Sequence, residues 1–78
     1  MNNLEDLVKT VVDYCDSGDL MTALSYFESN IRPVVESLDN YANAELLQIL
    51  KEQCQLIDDE DWQSALRNID RLSELLNG

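Results

Sequence analysis

The sequence predicts an all-α fold: two tandem antiparallel helical hairpins forming a compact four-helix domain. Three observations carry that prediction. Apolar residues recur at spacings of three and four along the whole chain, with no β-branched alternation. Two glycines and one proline leave few places for turns. Residues 4–35 also overlay residues 46–77 at a constant shift of 42. Identities fall at Leu4/Leu46, Lys9/Lys51, Asp16/Asp58, Asp19/Asp61, Ala23/Ala65 and Leu24/Leu66, and conservative pairs include Leu20/Trp62, Thr22/Ser64, Phe27/Ile69 and Val34/Leu76. A fixed period means one supersecondary unit used twice.

Helix one is expected over 3–16. Asn3 is a favoured N-cap with Asp6 three residues on, and Leu4, Leu7, Val8, Val11, Val12 and Cys15 share a face. The run Asp16-Ser17-Gly18-Asp19 ends it, because glycine takes the left-handed cap conformation and Asp or Ser caps the next helix. Helix two, over 19–38, bears Leu20, Ala23, Leu24, Phe27, Ile31, Val34, Val35 and Leu38. That stripe keeps its phase past Pro33, which reads as one helix kinked at the proline.

The linker Asp39-Asn40-Tyr41-Ala42-Asn43 is rich in capping residues, and helix three follows over 43–57 with Leu46, Leu47, Ile49, Leu50, Cys54 and Ile57. Asp58-Asp59-Glu60-Asp61 closes that helix and opens helix four, over 60–76, setting carboxylates against the positive end of its dipole. Helix four is expected to bury Trp62, Ala65, Leu66, Ile69, Leu72 and Leu76. Trp62 and Phe27 then anchor one hairpin each, with truncation to alanine costing about 3–5 kcal/mol. The apolar arcs of helices one and three are the wider, roughly 160–180° against 100–120°. That places helices one and three centrally, with two and four packing outside them. Short linkers make sequential helices antiparallel. The whole chain, 1–78, is read as a single domain, with hairpins over 3–38 and 43–77.

Two resemblances attach to particular residues. Tyr14, Gly18-Asp19-Leu20, Ala23 and Phe27 fall at the spacings of Tyr, Gly-Asp-Tyr, Ala and an aromatic in the tetratricopeptide repeat. The first hairpin therefore resembles that family, in which the small Ala lets two helices approach closely. The second half keeps Asp61, Trp62 and Ala65 but has Glu60 where the glycine would fall, and the period of 42 is longer than that family's. The stretch Asp61-Trp62-Gln63-Ser64-Ala65-Leu66, followed by Ile69, Leu72 and Leu75, is similar to the helical hairpins of small flagellar and secretion export chaperones. That likeness implies an acidic, cytoplasmic, all-α protein that holds a partner helix.

Charge and missing chemistry narrow the function. Sixteen Asp and Glu against five Lys and Arg leave a net charge of −11, which opposes direct binding to nucleic acid or to anionic lipid. No leader-like or membrane-spanning apolar run is present, and two cysteines, Cys15 and Cys54, suit a reducing compartment as small buried hydrophobes, so the expected location is cytoplasmic. With no histidine, the usual general base, zinc ligand and nucleophile partner are all missing. The acidic run 58–61 lacks the glycine and the closing Glu of a calcium loop, so capping explains it better than a metal. No catalytic residue, cofactor or metal site is expected.

Four apolar residues lie off the stripes: Met21, Tyr26, Tyr41 and Leu75. Aromatic and Met side chains are favoured at interfaces, so these four are the candidate protein-binding residues. The expected function is a non-enzymatic acidic protein–protein interaction module, adaptor- or chaperone-like, binding a partner helix or basic segment, with a homodimer as a further mode of association. The alternative is an acidic inhibitor or immunity-type protein that covers a basic nucleic-acid-binding surface. An apolar groove rimmed by acids favours the first reading, and a continuous carboxylate stripe favours the second.

Overall fold

The computed structural model describes residues 3–77; residues 1, 2 and 78 of the expected domain lie outside them. Four helices form, with no strand among the described residues. α1 is Leu4–Asp16. α2 covers residues 20–37 in three consecutive pieces: α-helical Leu20–Tyr26, a π-helical turn Phe27–Ile31 and α-helical Arg32–Ser37. α3 is Ala44–Asp58 and α4 is Trp62–Asn77. Each end falls within two residues of the expected boundary.

The two hairpin turns match bond for bond. In the first, the amides of Ser17, Gly18 and Asp19 donate to the carbonyls of Asp13, Cys15 and Tyr14; in the second, those of Asp59, Glu60 and Asp61 donate to Gln55, Ile57 and Leu56. Every one of these partners is related by the repeat shift. Asp19 then accepts from the Thr22 amide (3.2 Å) and Asp61 from the Ser64 amide (3.3 Å), capping α2 and α4. The pivot residue of each turn is left-handed: Gly18 at φ 81° and Glu60 at φ 56°. Only Asp61 of the run 58–61 caps α4. Asp58 is the last residue of α3 and Asp59 its C-cap, so these two carboxylates sit at a negative helix end rather than the positive one expected for them.

α2 runs unbroken past Pro33, as the stripe implies, but the accommodation is a π turn just before the proline. Proline offers no N–H and displaces the carbonyl four residues back, here that of Ser29 inside the turn. The Arg32 amide reaches five residues back to Phe27 instead. The turn also corrects the stripe. The buried positions of α2 are Ala23, Phe27, Ile31 and Val35, all four apart, whereas in α4 Ala65, Ile69 and Leu72 are buried and Leu76 half-buried. α2 therefore holds one extra residue between its second and third core positions. Beyond the turn Val35 pairs with Leu76, and Val34, which the sequence paired with it, is 37% exposed.

The helices close in a ring rather than as two central and two outer elements. α1 packs on α2 and α4, α3 packs on α4, and the Arg32–Ser37 piece of α2 packs on α3, while α1 and α3 face each other across the diagonal. α3 carries the largest buried set, from Leu46 to Ile57, and Phe27, Ile31, Leu46, Leu50 and Leu72 fill the centre. Two buried polar residues, Gln53 and Asn68, satisfy one another. Asn68 Nδ2 donates to Gln53 Oε1 and to the Ile49 carbonyl, both at 3.0 Å, and Arg71 donates to Asn68 Oδ1 at 3.0 Å.

Arg32 ties the hairpins together. Its Nη2 donates to both carboxylate oxygens of Asp58, at 2.6 and 2.7 Å, and the guanidinium also reaches Glu28 and Glu36, with Asp58 first among the groups that hold its charge. A second tie crosses the middle linker, where the Tyr41 hydroxyl donates to Glu5 at 2.7 Å, a bond that pushes the phenol above its ordinary range.

The turns yield a paired prediction. Glu60→Gly places the residue of the first turn into the second and should raise stability by about 1 kcal/mol, because an L side chain at positive φ is strained. At Gly18 an added Cβ meets nothing within 4 Å, so Gly18→Ala should cost about 1 kcal/mol through the backbone alone. Urea unfolding of the two variants checks both signs.

Candidate functional site

Between the hairpins, at the end of the bundle that carries both turns, the helices leave an open apolar groove of about 270 Å³. Its lining follows the repeat. Val11 and Gln53, Cys15 and Ile57, Leu20 and Trp62, Ala23 and Ala65, Leu24 and Leu66, and Phe27 and Ile69 all line it, and each pair is related by the shift of 42. Met21 completes the lining, without its counterpart Gln63. The groove is thus lined by equivalent positions of the two hairpins.

Local sequence explains this shape. Ala23 and Ala65 are buried small residues on the inner faces of α2 and α4, so they fill little of the space between the first turns of those helices. Around them the large residues stand half or more out of the protein: Leu20 (46% exposed) and Trp62 (48%) one turn before the alanines, Leu66 (46%) next to Ala65, and Met21 (76%) next to Leu20. Phe27, Ile69 and Val11, all buried, form the floor, and Gln53 is the polar exception. Leu20, Leu66 and Trp62 were expected in the core. They belong to the apolar stripes but line the open groove, where they stay about half exposed, so the Trp62 ring is a surface feature and not the anchor of its hairpin.

The groove adjoins dense negative charge. Each turn joins two lining residues, Cys15 to Leu20 and Ile57 to Trp62, and exposes Asp16, Asp19, Asp58, Asp59, Glu60 and Asp61. Asp58 is neutralised by Arg32; no other acid of the two turns takes part in an ion pair among the described residues. Burial pushes the Cys15 thiol up, and Asp16 and Asp70 push it further the same way. Burial likewise raises Cys54, so both thiols stay protonated at neutral pH. Both are free. Among the described residues no group of His, Cys, Asp or Glu is arranged to hold a metal ion, and no helix is long and apolar enough to cross a membrane.

The four residues proposed from sequence do not share a face. Met21 lines the groove. Tyr26 is half-buried, packs on the core, and sets its ring 6.0 Å from that of Tyr14 at a tilt of 55°. Tyr41 is the linker tie to Glu5 already described. Leu75 packs on the core and borders a separate shallow recess with Glu45, Ile49, Arg71 and Glu74. The residues missed, Leu20, Trp62 and Leu66, carried a signal nonetheless: they are large apolar members of matched pairs flanking the two matched alanines. No protein-family model, curated protein or solved structure matches this chain.

Exposure separates Phe27 from Trp62. Phe27→Ala, at 2% exposure, should cost about 3–5 kcal/mol, a large share of the stability of so small a domain. Trp62→Ala should cost about half as much, roughly 1.5–2.5 kcal/mol, since half of the side chain is already in water. Thermal and urea unfolding of both variants measure the contrast.

Proposed function

We propose that this protein is a non-catalytic interaction module, adaptor- or chaperone-like, whose groove receives an apolar segment of another protein. One observation carries the reading: the large apolar side chains that a 78-residue core would be expected to use are instead arrayed around an open cleft. Exposed apolar surface collected in one place marks a binding site, whereas scattered single residues need no explanation. Leu, Trp and Met suit such a role, since Trp is enriched among residues that dominate binding energy and Met adapts to irregular partners.

The lack of histidine supports a role without catalysis. Two free, protonated thiols are compatible with a reducing, cytoplasmic setting. The alternative, an acidic protein that covers a basic nucleic-acid-binding surface, draws on the same net charge. It has no use for an apolar cleft, so the groove favours the adaptor.

The test is affinity capture from the native lysate with the wild-type chain, with Leu66→Asp, and with Asp39→Asn as a control in the middle linker. The expected result is a protein retained by wild type and by Asp39→Asn but lost with Leu66→Asp, while circular dichroism shows unchanged helicity. Retention of the same protein by Leu66→Asp would remove the groove from the binding site.

A further inference from the structure

We infer that the occupant of the groove is a basic amphipathic helix, seated with its apolar face between α2 and α4 and its Lys or Arg residues over the two acidic turns. The inference rests on the groove reading above and adds the chemistry of the partner. The walls of the groove are themselves helices. Leu20 and Leu24 stand one turn apart on α2, and Trp62 and Leu66 stand one turn apart on α4, giving two ridges with a furrow between them. A third helix packs into such a furrow by the same ridge-and-groove fit that joins helices within a protein.

Charge then selects the kind of helix. Six exposed acids occupy the two turns beside the furrow, and only Asp58 is neutralised within the chain. Asp16 and Asp58 end α1 and α3, so their carboxylates add to the negative dipole ends of those helices. A cation delivered by a partner relieves this repulsion; an anionic partner compounds it. The same argument disfavours a second copy of this chain, which would bring an equal set of acids and a net charge of −11 to the contact.

The test uses the full chain and three synthetic peptides of equal length: a helical peptide with a Leu face and Lys elsewhere, the same Leu face with Glu elsewhere, and a Ser-and-Lys peptide of matched charge. The fluorescence of Trp62, the single tryptophan, reports occupancy of the groove, and calorimetry gives the affinity and stoichiometry. The Leu–Lys peptide should bind one to one, more weakly by about tenfold at high salt, and far more tightly than the other two. Asp16→Lys combined with Asp59→Lys should weaken it by about tenfold, while placing cations at helix C-termini where they are tolerated. Asp39→Lys combined with Glu74→Lys makes the same change in net charge at the far end and should leave affinity within about twofold of wild type.

The failures separate. Equal binding of the Leu–Glu peptide would overturn the basic-helix inference and leave the groove reading intact. Equal binding of the Ser–Lys peptide, or equal weakening by the two double variants, would overturn it by showing that overall charge suffices. If neither Leu peptide perturbs Trp62, both readings fall. A dimer in sedimentation that Leu66→Asp dissociates would overturn the basic helix in favour of a second copy.

Discussion

The rest of this structure depends on one geometric constraint in α2, whose core residues are spaced four apart three times in succession. In a regular α-helix each such step overshoots a full turn by about 40°, so Ala23, Phe27, Ile31 and Val35 would drift off one face. The π turn at Phe27–Ile31 takes up the surplus residue and returns Ile31 and Val35 to the core. It also divides the helix. The part before it packs on α1 and frames the groove; the part after it packs on α3. Arg32, the first residue after the turn, lies within reach of Asp58 for the same reason, so the main ion pair between the hairpins follows from the irregularity.

A strongly acidic chain makes that pair matter. With 16 carboxylates against five basic groups, most of the surface repels itself, and the ion pairs of the described residues all belong to Arg32 or Arg71. Arg71 binds Glu52, holding that carboxyl below its ordinary range, and reaches the buried amide of Asn68 as well. Both arginines bridge α3 to another helix, where their charge offsets repulsion between elements. Cohesion elsewhere comes from the apolar centre and from caps at Asn3, Asp19, Asn43 and Asp61. The turns stay acidic because their acids serve as caps or face solvent. Beside an open apolar furrow, that same charge becomes a means of choosing a partner.

Much of the fold was legible because it rests on local chemistry. Asn3 and Asp19 announce helix starts, Gly18 announces a left-handed turn, and the repeat shift carries the same turn to Glu60, where the side chain alone would not have suggested it. The π turn was hidden for a definite reason: Val34 and Val35 are equally apolar neighbours, and only the count of residues between Phe27 and the proline distinguishes which is buried. The groove was hidden by the stripes themselves. Periodicity tells which face of a helix is apolar but not where a neighbouring helix ceases to cover it, so Leu20, Trp62 and Leu66 read as core. Tyr26, Tyr41 and Leu75 lie off the main stripes and yet pack partly on the core, since a residue off the stripe can still meet a second neighbour in a ring of helices.

The central claim is that α2 is the α4 helix with one residue added and that the π turn absorbs the addition. Deleting Ser29, an exposed residue inside the turn, tests it most directly when made in a Pro33→Ala background, so that the proline no longer demands a widened turn. The measurement is cooperative urea unfolding, compared with Pro33→Ala alone. The account predicts a chain that still folds cooperatively with the same denaturant dependence and a stability within about 1 kcal/mol, because the α2 core positions then repeat the spacing of α4. Loss of cooperative folding, as expected if the deletion swings Ile31 and Val35 out of the core by about 100°, would contradict it.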